Sequence, residues 1–397
     1  MNVETLNIRH LLAANLVWKG HSINHAAEEL YLSQPAISQG IKKLEQQLAC
    51  KLIERSRRGT QASALGEVFF ARVERALGLL DKIATALPID KRHNFSRTVT
   101  ATLLRAFSYT VRAESTKRAA DQLQLSQPTV HRAIADFEQL CNTEFFYRSS
   151  YGSQPTRQAK YVAQHIELFY SELQQAVDAM EQSRGERIGR LAIGSLPLAR
   201  SDWAPNAVSD LLADYPAADV SIYDGPYEAQ LHELMHGRID MIIGALREQK
   251  SGLPIVQRAM FDDELSVVVR TGHPLSALNQ VSVADLVDFD WITPHNDTPG
   301  RQVFEQVFID AGLNVPKRII ECGSFMAVRK LLMVSDRATL LSSRQVGNDV
   351  AANLLTVLPL QLPATTRKIG VSFRKGWQPT ALQQRFIDLL GQSAASV

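Results

Sequence analysis

Cysteine is scarce in this chain of 397 residues: Cys50, Cys141 and Cys322 stand too far apart for a zinc site or a thioredoxin-like pair, and an odd number cannot close a disulfide framework. They read as buried, inert thiols in a reducing cytoplasm, with a redox sensor as the alternative. Long apolar runs are missing too. None approaches the roughly 20 residues that cross a bilayer, and Met1-Asn2-Val3-Glu4 opens no basic region followed by an apolar core, so neither a membrane protein nor a secreted one is expected. No sign of charge dominates, at a formal net +2. There is no G-x-S-x-G elbow and no G-x-x-x-x-G-K phosphate loop, and the histidines are read as unclustered, with neither H-E-x-x-H nor other ligand spacing, so no enzyme, no metal and no cofactor are expected.

What is present is an ordinary folded composition, 45% hydrophobic and 21% charged, on a chain long enough for two to four domains. The cations are unevenly placed. Eight Lys/Arg stand against five Asp/Glu over 1–66 and nine against five over 97–160, but nineteen against twenty-two over 188–397. A polyanion-binding N-terminal region fits that distribution.

The run Leu32-Ser33-Gln34-Pro35-Ala36-Ile37-Ser38 reads as the start of a helix: the Ser33 hydroxyl can accept from the free amides of the first turn, where a proline costs no helical hydrogen bond. Ser22 caps a shorter helix ahead of it through Ala26, Ala27 and Leu30. Leu6, Leu11, Leu12, Leu16 and Trp18 fit a first amphipathic helix, so the whole is a helix-turn-helix with a three-helix core. Ile37, Ile41, Leu44 and Leu48 face inward at helical spacing, leaving Gln34, Ser38, Gln39 and Lys42 outward. Residues 51–60 alternate around Gly59 as a short hairpin bearing arginines, and the apolar stripe over 65–87 makes one long helix ended by Pro88.

The stretch AAEELYLSQPAISQGIKKLEQQLACKLIERSRRGTQASALG resembles the N-terminal winged helix-turn-helix of the LysR-type bacterial transcription regulators. The resemblance implies that Gln34, Pro35 and Ser38 contact base edges or adjacent phosphates; Gln39 and Lys42, outward on the same helix, are candidates to meet DNA from their position alone. It also implies that Arg55 and Arg58 work from the wing, which carries Arg57 as a further candidate, and that Ser63 stands where the family has a phosphate-contacting threonine. Gln39 stands where the family often has arginine, so no bidentate guanine contact is implied there. By the same resemblance the long helix pairs with its copy in a second subunit, packing within its own chain being the alternative.

After the polar boundary at 90–94 the pattern starts again. At an offset of 93, residues 22–66 and 115–159 share 15 identities in 45 ungapped pairs, among them Ser33/Ser126, Gln34/Gln127, Pro35/Pro128, Glu45/Glu138 and Arg55/Arg148. A period this long means a duplicated domain. The second copy turns Gln127, Pro128, His131 and Arg132 outward and carries Arg148 and Thr156 on its wing. It has Asp136 for Lys43, Glu144 for Lys51, and Ser150-Tyr151 for Arg57-Arg58. It reads either as a second DNA-contacting module or as one that mainly packs or dimerises.

Beyond Arg187, short apolar runs at 191–194, 220–223, 241–244 and 265–269 alternate with helical stretches, the pattern of an open α/β sheet that binds ligands at the carboxyl ends of buried parallel strands. With Gly194-Ser195-Leu196-Pro197 and His236-Gly237-Arg238-Ile239-Asp240, this region resembles the family's two-lobed sensor domain, which is similar to periplasmic solute-binding proteins. The fold class expected is therefore multi-domain, α+β and α/β. It comprises tandem winged helix-turn-helix domains (1–64 and 95–157), linker helices (65–88 and 158–185) and a two-lobed effector domain (188–397, with lobe 1 at 188–269 and 364–397, lobe 2 at 270–363). Effector candidates are Ser195, Leu196 and Pro197, then Tyr223 and Arg247, then Thr293, Pro294 and His295, with Gly323, Ser324 and Phe325. For Ser195, Arg247 and His295 the alternatives are a helix cap, an exposed ion pair and a solvent-facing residue. The function expected is a sequence-specific DNA-binding regulator controlled by a small molecule. Its partners would be double-stranded promoter DNA, RNA polymerase, an effector with a carboxylate as one option, and further copies in a homodimer or homotetramer, with no membrane. A DNA-binding assembly protein without effector and a solute-binding protein are the alternatives.

Overall fold

The computed structural model describes residues 1–20, 22–56, 59–89, 95–149, 152–248, 252–278, 280–296, 298–362 and 365–395. Its N-terminal half contains one run of elements twice. The first run is α1 (Ile8–Gly20), α2 (Ile23–Leu30), α3 (Gln34–Gln47), the hairpin of β1 (Ile53–Ser56) and β2 (Gly59–Ala62), and α4 (Ala64–Ala86). After α5 (Phe95–Thr98) come α6 (Ala101–Ala113), α7 (Thr116–Leu123), α8 (Gln127–Cys141), β3 (Phe146–Ser149), β4 (Gly152–Pro155) and α9 (Arg157–Ser183). The same local chemistry shapes both. Ser22 and Ser115 cap α2 and α7, Ser33 and Ser126 cap α3 and α8, and Ser63 and Thr156 cap α4 and α9. Tyr31 and Gln124, at φ 53° and 56°, take the left-handed conformation that turns each second helix into the third.

One hydrophobic core runs from Val3 to Met180 through both copies. In α4, Phe69, Phe70, Val73, Ala76, Leu80 and Ile83 are fully buried, and α9 buries Val162, Ile166, Phe169 and Ala176 as completely. The two long helices pack on one another. This corrects the expectation that the α4 stripe is covered by a second subunit. Apolar periodicity shows that a face is buried but not which helix buries it, and a duplicated partner on the same chain is present at the high effective concentration of a tethered segment.

The C-terminal half has two five-stranded sheets, ordered β6-β5-β7-β14-β8 and β11-β10-β12-β9-β13. The first lobe holds β5 (Ile188–Ser195), α10 (Trp203–Asp214), β6 (Ala217–Tyr223), α11 (Tyr227–Met235), β7 (Met241–Ala245), β8 (Ile255–Asp263), β14 (Arg367–Arg374) and α15 (Ala381–Ala395). The second holds β9 (Leu265–Arg270), β10 (Asp290–Thr293), α12 (Pro299–Asp310), β11 (Ile319–Glu321), α13 (Phe325–Met333), β12 (Arg337–Ser342), α14 (Gly347–Ala351) and β13 (Leu355–Val357). Each sheet is mixed. β5 runs parallel to β6 and β7, but β14 is antiparallel to β7 and β8, and β9 is antiparallel to β12 and β13.

The first crossover needs correcting. β9 bonds to β12 and β13, so the chain leaves the first lobe between Asp263 and Leu265 instead of near Arg270. An apolar run shows that 265–269 is a strand but not which sheet takes it. The lobes meet beside this crossover, where Ser342 Oγ donates to Asp263 at 2.5 Å and Asn348 to Asp202 at 3.3 Å.

Candidate nucleic-acid interface and effector lobes

Both third helices present a polar face. Ser33 Oγ accepts from the Ala36 amide at 3.4 Å and Ser126 Oγ from Thr129 at 3.3 Å, with Pro35 and Pro128 in the first turns. Gln34, Pro35, Gln39 and Lys42 are exposed and Ser38 is half-buried; in the second copy Gln127, Pro128, His131 and Arg132 are all exposed. Each glutamine is steadied from the preceding helix, Gln34 by Asn24 and Gln127 by Thr116 at 3.4 Å, while His131 also meets Thr116 at 3.3 Å. Arg55 and Arg148 occupy equivalent hairpin positions, opposite Thr60 and Ser153. Arg57 and Arg58 lie outside the described residues. Ser63 accepts from Gly66 at 3.0 Å and donates to the Lys51 carbonyl at 2.7 Å, and Thr156 accepts from Ala159 at 3.1 Å, so both hydroxyls serve as helix caps.

A brace not singled out from the sequence ties each hairpin to the third helix of its copy. Glu45 Oε1 accepts from the Leu52 and Ile53 amides at 3.0 and 3.2 Å while Oε2 meets Lys51 at 2.7 Å; Glu138 Oε1 accepts from Phe145 at 2.7 Å. The Glu45/Glu138 identity was the signal for it. Cys141 is fully buried and its thiol is pushed up to about 12 by burial, which makes it inert; Cys50 lies 3.4 Å from the Met180 sulfur, and burial raises its thiol as well.

In the C-terminal half the candidates form two groups. At the ends of β5 and β7, Ser195 is fully buried and its hydroxyl makes no hydrogen bond among the described residues, while its carbonyl accepts from Arg200 and Gln230. Leu196 packs against Gly244 and is buried, and Pro197 is exposed at the start of a four-residue 3-10 turn, so the helix expected directly after it is that short turn, with α10 following later. Arg247 stacks over the Tyr227 ring at 5.3 Å, and its Nε has no hydrogen-bond partner among the described residues. In the second lobe, His295 lies beside Gly323 and 3.5 Å from Glu321, and buried Thr293 accepts from Arg301 at 3.1 Å. Pro294 packs on Gly300, while Ser324 and Phe325 begin α13. Tyr223 lines a different space, a cavity of about 450 Å³ between α6, α9 and the first lobe, also walled by Arg112, Glu167, Arg238 and Asp240.

The reading of the histidines as unclustered is corrected by α11. His232-Glu233-Leu234-Met235-His236 has H-E-x-x-H spacing, and the two rings lie against each other, tilted, with centroids 4.0 Å apart. Glu233 is bound to Arg238 at 2.8 Å, and no group of three acidic, histidine or cysteine ligands gathers there among the described residues.

The first lobe is joined to α4 and α9. Arg72 donates to Gln175 at 2.9 Å and to the carbonyls of Gln378 and Pro379 at 3.2 and 3.0 Å; Arg75 grips Glu172 and the Gly376 carbonyl. Arg238 pairs with Glu167 at 2.9 Å. Nearby, burial pushes the Asp240 carboxyl up to about 6, although the Ala192 amide donates to it at 2.9 Å and Arg374 favours its charge. A carboxyl raised in the folded state stabilises fully below its unfolded pKa, near 4, and that contribution is lost as pH rises through about 6. The wild-type chain should therefore lose roughly 3 kcal/mol through this group between about pH 4 and 7. Asp240→Asn should lack that slope in melts across the same range; parallel curves for the two proteins would refute it.

Comparison with known proteins agrees with these two halves. The profile described as LysR substrate binding domain matches residues 184–395, and that of the bacterial regulatory helix-turn-helix protein, lysR family, matches 8–67 and again 101–160. The HTH-type transcriptional regulator GalR of Pseudomonas putida is 29% identical over 376 residues, 95% of this chain and 94% of that one, so the two have nearly the same length. PcaQ of Agrobacterium fabrum, also named an HTH-type transcriptional regulator, is 27% identical over 70% of this chain and 89% of its own. Among solved structures, a full-length OxyR variant from Pseudomonas aeruginosa has a TM-score of 0.54 at 20% identity over 74% of this chain and 93% of that one. CbnR in complex with its target DNA has a TM-score of 0.52 at 18% identity over 73% and 98%. No helix among the described residues is long and apolar enough to cross a membrane. Since the substrate-binding profile alone spans more than half of its 397 residues, the chain belongs to the LysR family of DNA-binding transcriptional regulators.

Proposed function

We propose that this regulator carries its family's winged helix-turn-helix twice, that both copies contact promoter DNA, and that a small molecule held between the two C-terminal lobes controls them. The observation that carries the reading is the pair of serine-capped, proline-started helices, each exposing a polar face: Gln34, Ser38, Gln39 and Lys42 in one, Gln127, His131 and Arg132 in the other. Side chains of these types pair with base edges and phosphates. The wings add Arg55 and Arg148, with Arg57 and Arg58 of the first. Promoter binding would bring RNA polymerase within reach.

For the effector, the unpaired Ser195 hydroxyl and Arg247 Nε are groups that a polar ligand would satisfy. They favour an anionic ligand, a carboxylate among them, on the first lobe. Thr293, Pro294 and His295 with Gly323, Ser324 and Phe325 would close on it from the second. A ligand that fits the closed lobes better than the open ones shifts the balance by that difference in affinity, and the Arg72 and Arg75 bonds would pass the movement to α4 and α9.

Footprinting on adjacent promoter DNA, with and without candidate metabolites, tests this reading. Lys42→Ala should weaken binding evenly across sequences and reduce the salt slope by about 1. Gln34→Ala should instead relax preference at one base position. The absence of any specific footprint would refute DNA reading. A screen in which no metabolite raises the melting temperature would refute the effector part alone.

A further inference from the structure

The two copies are related by a pseudo-two-fold axis as well as by sequence. Arg72 meets Gln175 and Arg75 meets Glu172, so three residues forward on α4 is three residues back on α9, and the helices run antiparallel. Carrying the Arg72 and Gln175 positions across the repeat offset exchanges the helices and gives Lys82 opposite His165. Both lie on the packed α4–α9 pair, where His165, half-buried and bonded to the Tyr161 carbonyl at 2.9 Å, also feels the Lys82 charge.

The ends exchange in the same way. The turn Val3–Thr5 ahead of the first copy packs on α6 and α9 of the second, where Glu4 meets Arg105 at 3.3 Å and Tyr109 at 3.2 Å. The matching stretch one repeat later, α5, packs on α1 and α4 of the first copy, where Arg9 donates to the Arg97 carbonyl at 2.8 Å and Ser96 bonds Asp81 at 3.0 Å, while the Arg97 side chain reaches Glu29 of α2 at 3.3 Å. Contacts that run from each copy to the other in this reciprocal fashion are the mark of a two-fold interface.

We propose that a single chain is a complete two-headed DNA reader, an internal pseudo-dimer whose site consists of two unlike half-sites. The proposal rests on the reading that both copies contact DNA. A two-fold axis sets both reading helices at one height along it and facing the same way, so one duplex can meet both. The long helices overlap end to end, which puts the starts of α4 and α9 about 39 Å apart at about 1.5 Å per residue. The heads joined to those two starts are thus held apart on the scale of one turn of B-DNA, about 34–36 Å. The half-sites differ because the outward pair Ser38-Gln39 of the first head is His131-Arg132 in the second. Arginine selects guanine through a bidentate bond, whereas glutamine selects adenine.

The test mixes two full-length variants, each altered only at exposed residues of one head: Gln34→Ala/Lys42→Ala and Gln127→Ala/Arg132→Ala. On the footprinted promoter duplex each alone should lose about tenfold or more in affinity, and the equimolar mixture should bind no better than either. Recovery of binding in the mixture, as when two chains each supply one working head, overturns the proposal. A second-head variant that binds and footprints like wild type overturns it differently, by showing that the second copy does not touch DNA. A duplex with the first half-site in both positions should bind wild type more weakly than the natural site and His131→Ser/Arg132→Gln more tightly. An unchanged order of affinities overturns the unlike half-sites.

Discussion

Replacing Arg72 with methionine is expected to cost about 3 kcal/mol of stability and to cut the response of the DNA-binding half to the effector lobes. The side chain is 8% exposed, and its guanidinium satisfies Gln175 on α9 and the Gln378 and Pro379 carbonyls ahead of α15. Methionine fills most of the same volume but leaves those acceptors without a donor, so most of the loss comes from buried oxygens with no partner. Arg75 with Glu172 and Gly376 remains as a second fastening, which should keep the halves attached while loosening their coupling. Calorimetry reads the first effect, and the ligand-dependent change in footprint reads the second. A variant that melts and responds like wild type would remove Arg72 from the path.

Phe137→Ala should be costlier still, about 3–5 kcal/mol. Phe137 is fully buried among Phe107, Phe145 and Phe95, with ring centroids at 4.5, 5.7 and 6.1 Å. Phe95 belongs to α5, which packs on α1 and α4 of the first copy, so the cavity opens in a core both heads share. The melting temperature of the N-terminal half should fall by roughly 10 °C. Amide exchange should quicken in the first head as well, for example at Val17 and Ile37. Acceleration confined to residues 101–155 would show that the heads unfold independently.

Much of this was legible in the residues. Ser33 and Ser126 announced their helices because a cap followed by proline leaves few alternatives, and the offset of 93 carried each later element to its counterpart. The strands β5, β6, β7 and β9 were equally plain as apolar runs, but most of the second lobe's short strands were not, nor was the distribution of strands between sheets. Asp263 to Leu265 is one continuous extended passage, and only hydrogen bonding assigns its two halves. Arg72 and Arg75 sit among the polar positions of a long amphipathic helix, where cations ordinarily face water. Their burial depends on the first lobe docking there, a contact with no local signature. Glu45 stood out only as an identity with Glu138, and its bracing role was not legible because the amides it accepts from lie in a hairpin several residues away. His232 and His236 show the opposite case, a chemical spacing present in the sequence whose central Glu233 is bound to Arg238 and gathers no third ligand among the described residues.

The intramolecular pairing of α4 with α9 also has a consequence for behaviour at low copy number. Two separate chains must find each other before they can present paired heads, and dilution pulls them apart. Here the partners are tethered, at an effective concentration on the order of millimolar, so the pair should persist at nanomolar protein. Promoter occupancy would then rise in simple proportion to the amount of chain wherever one chain fills a site.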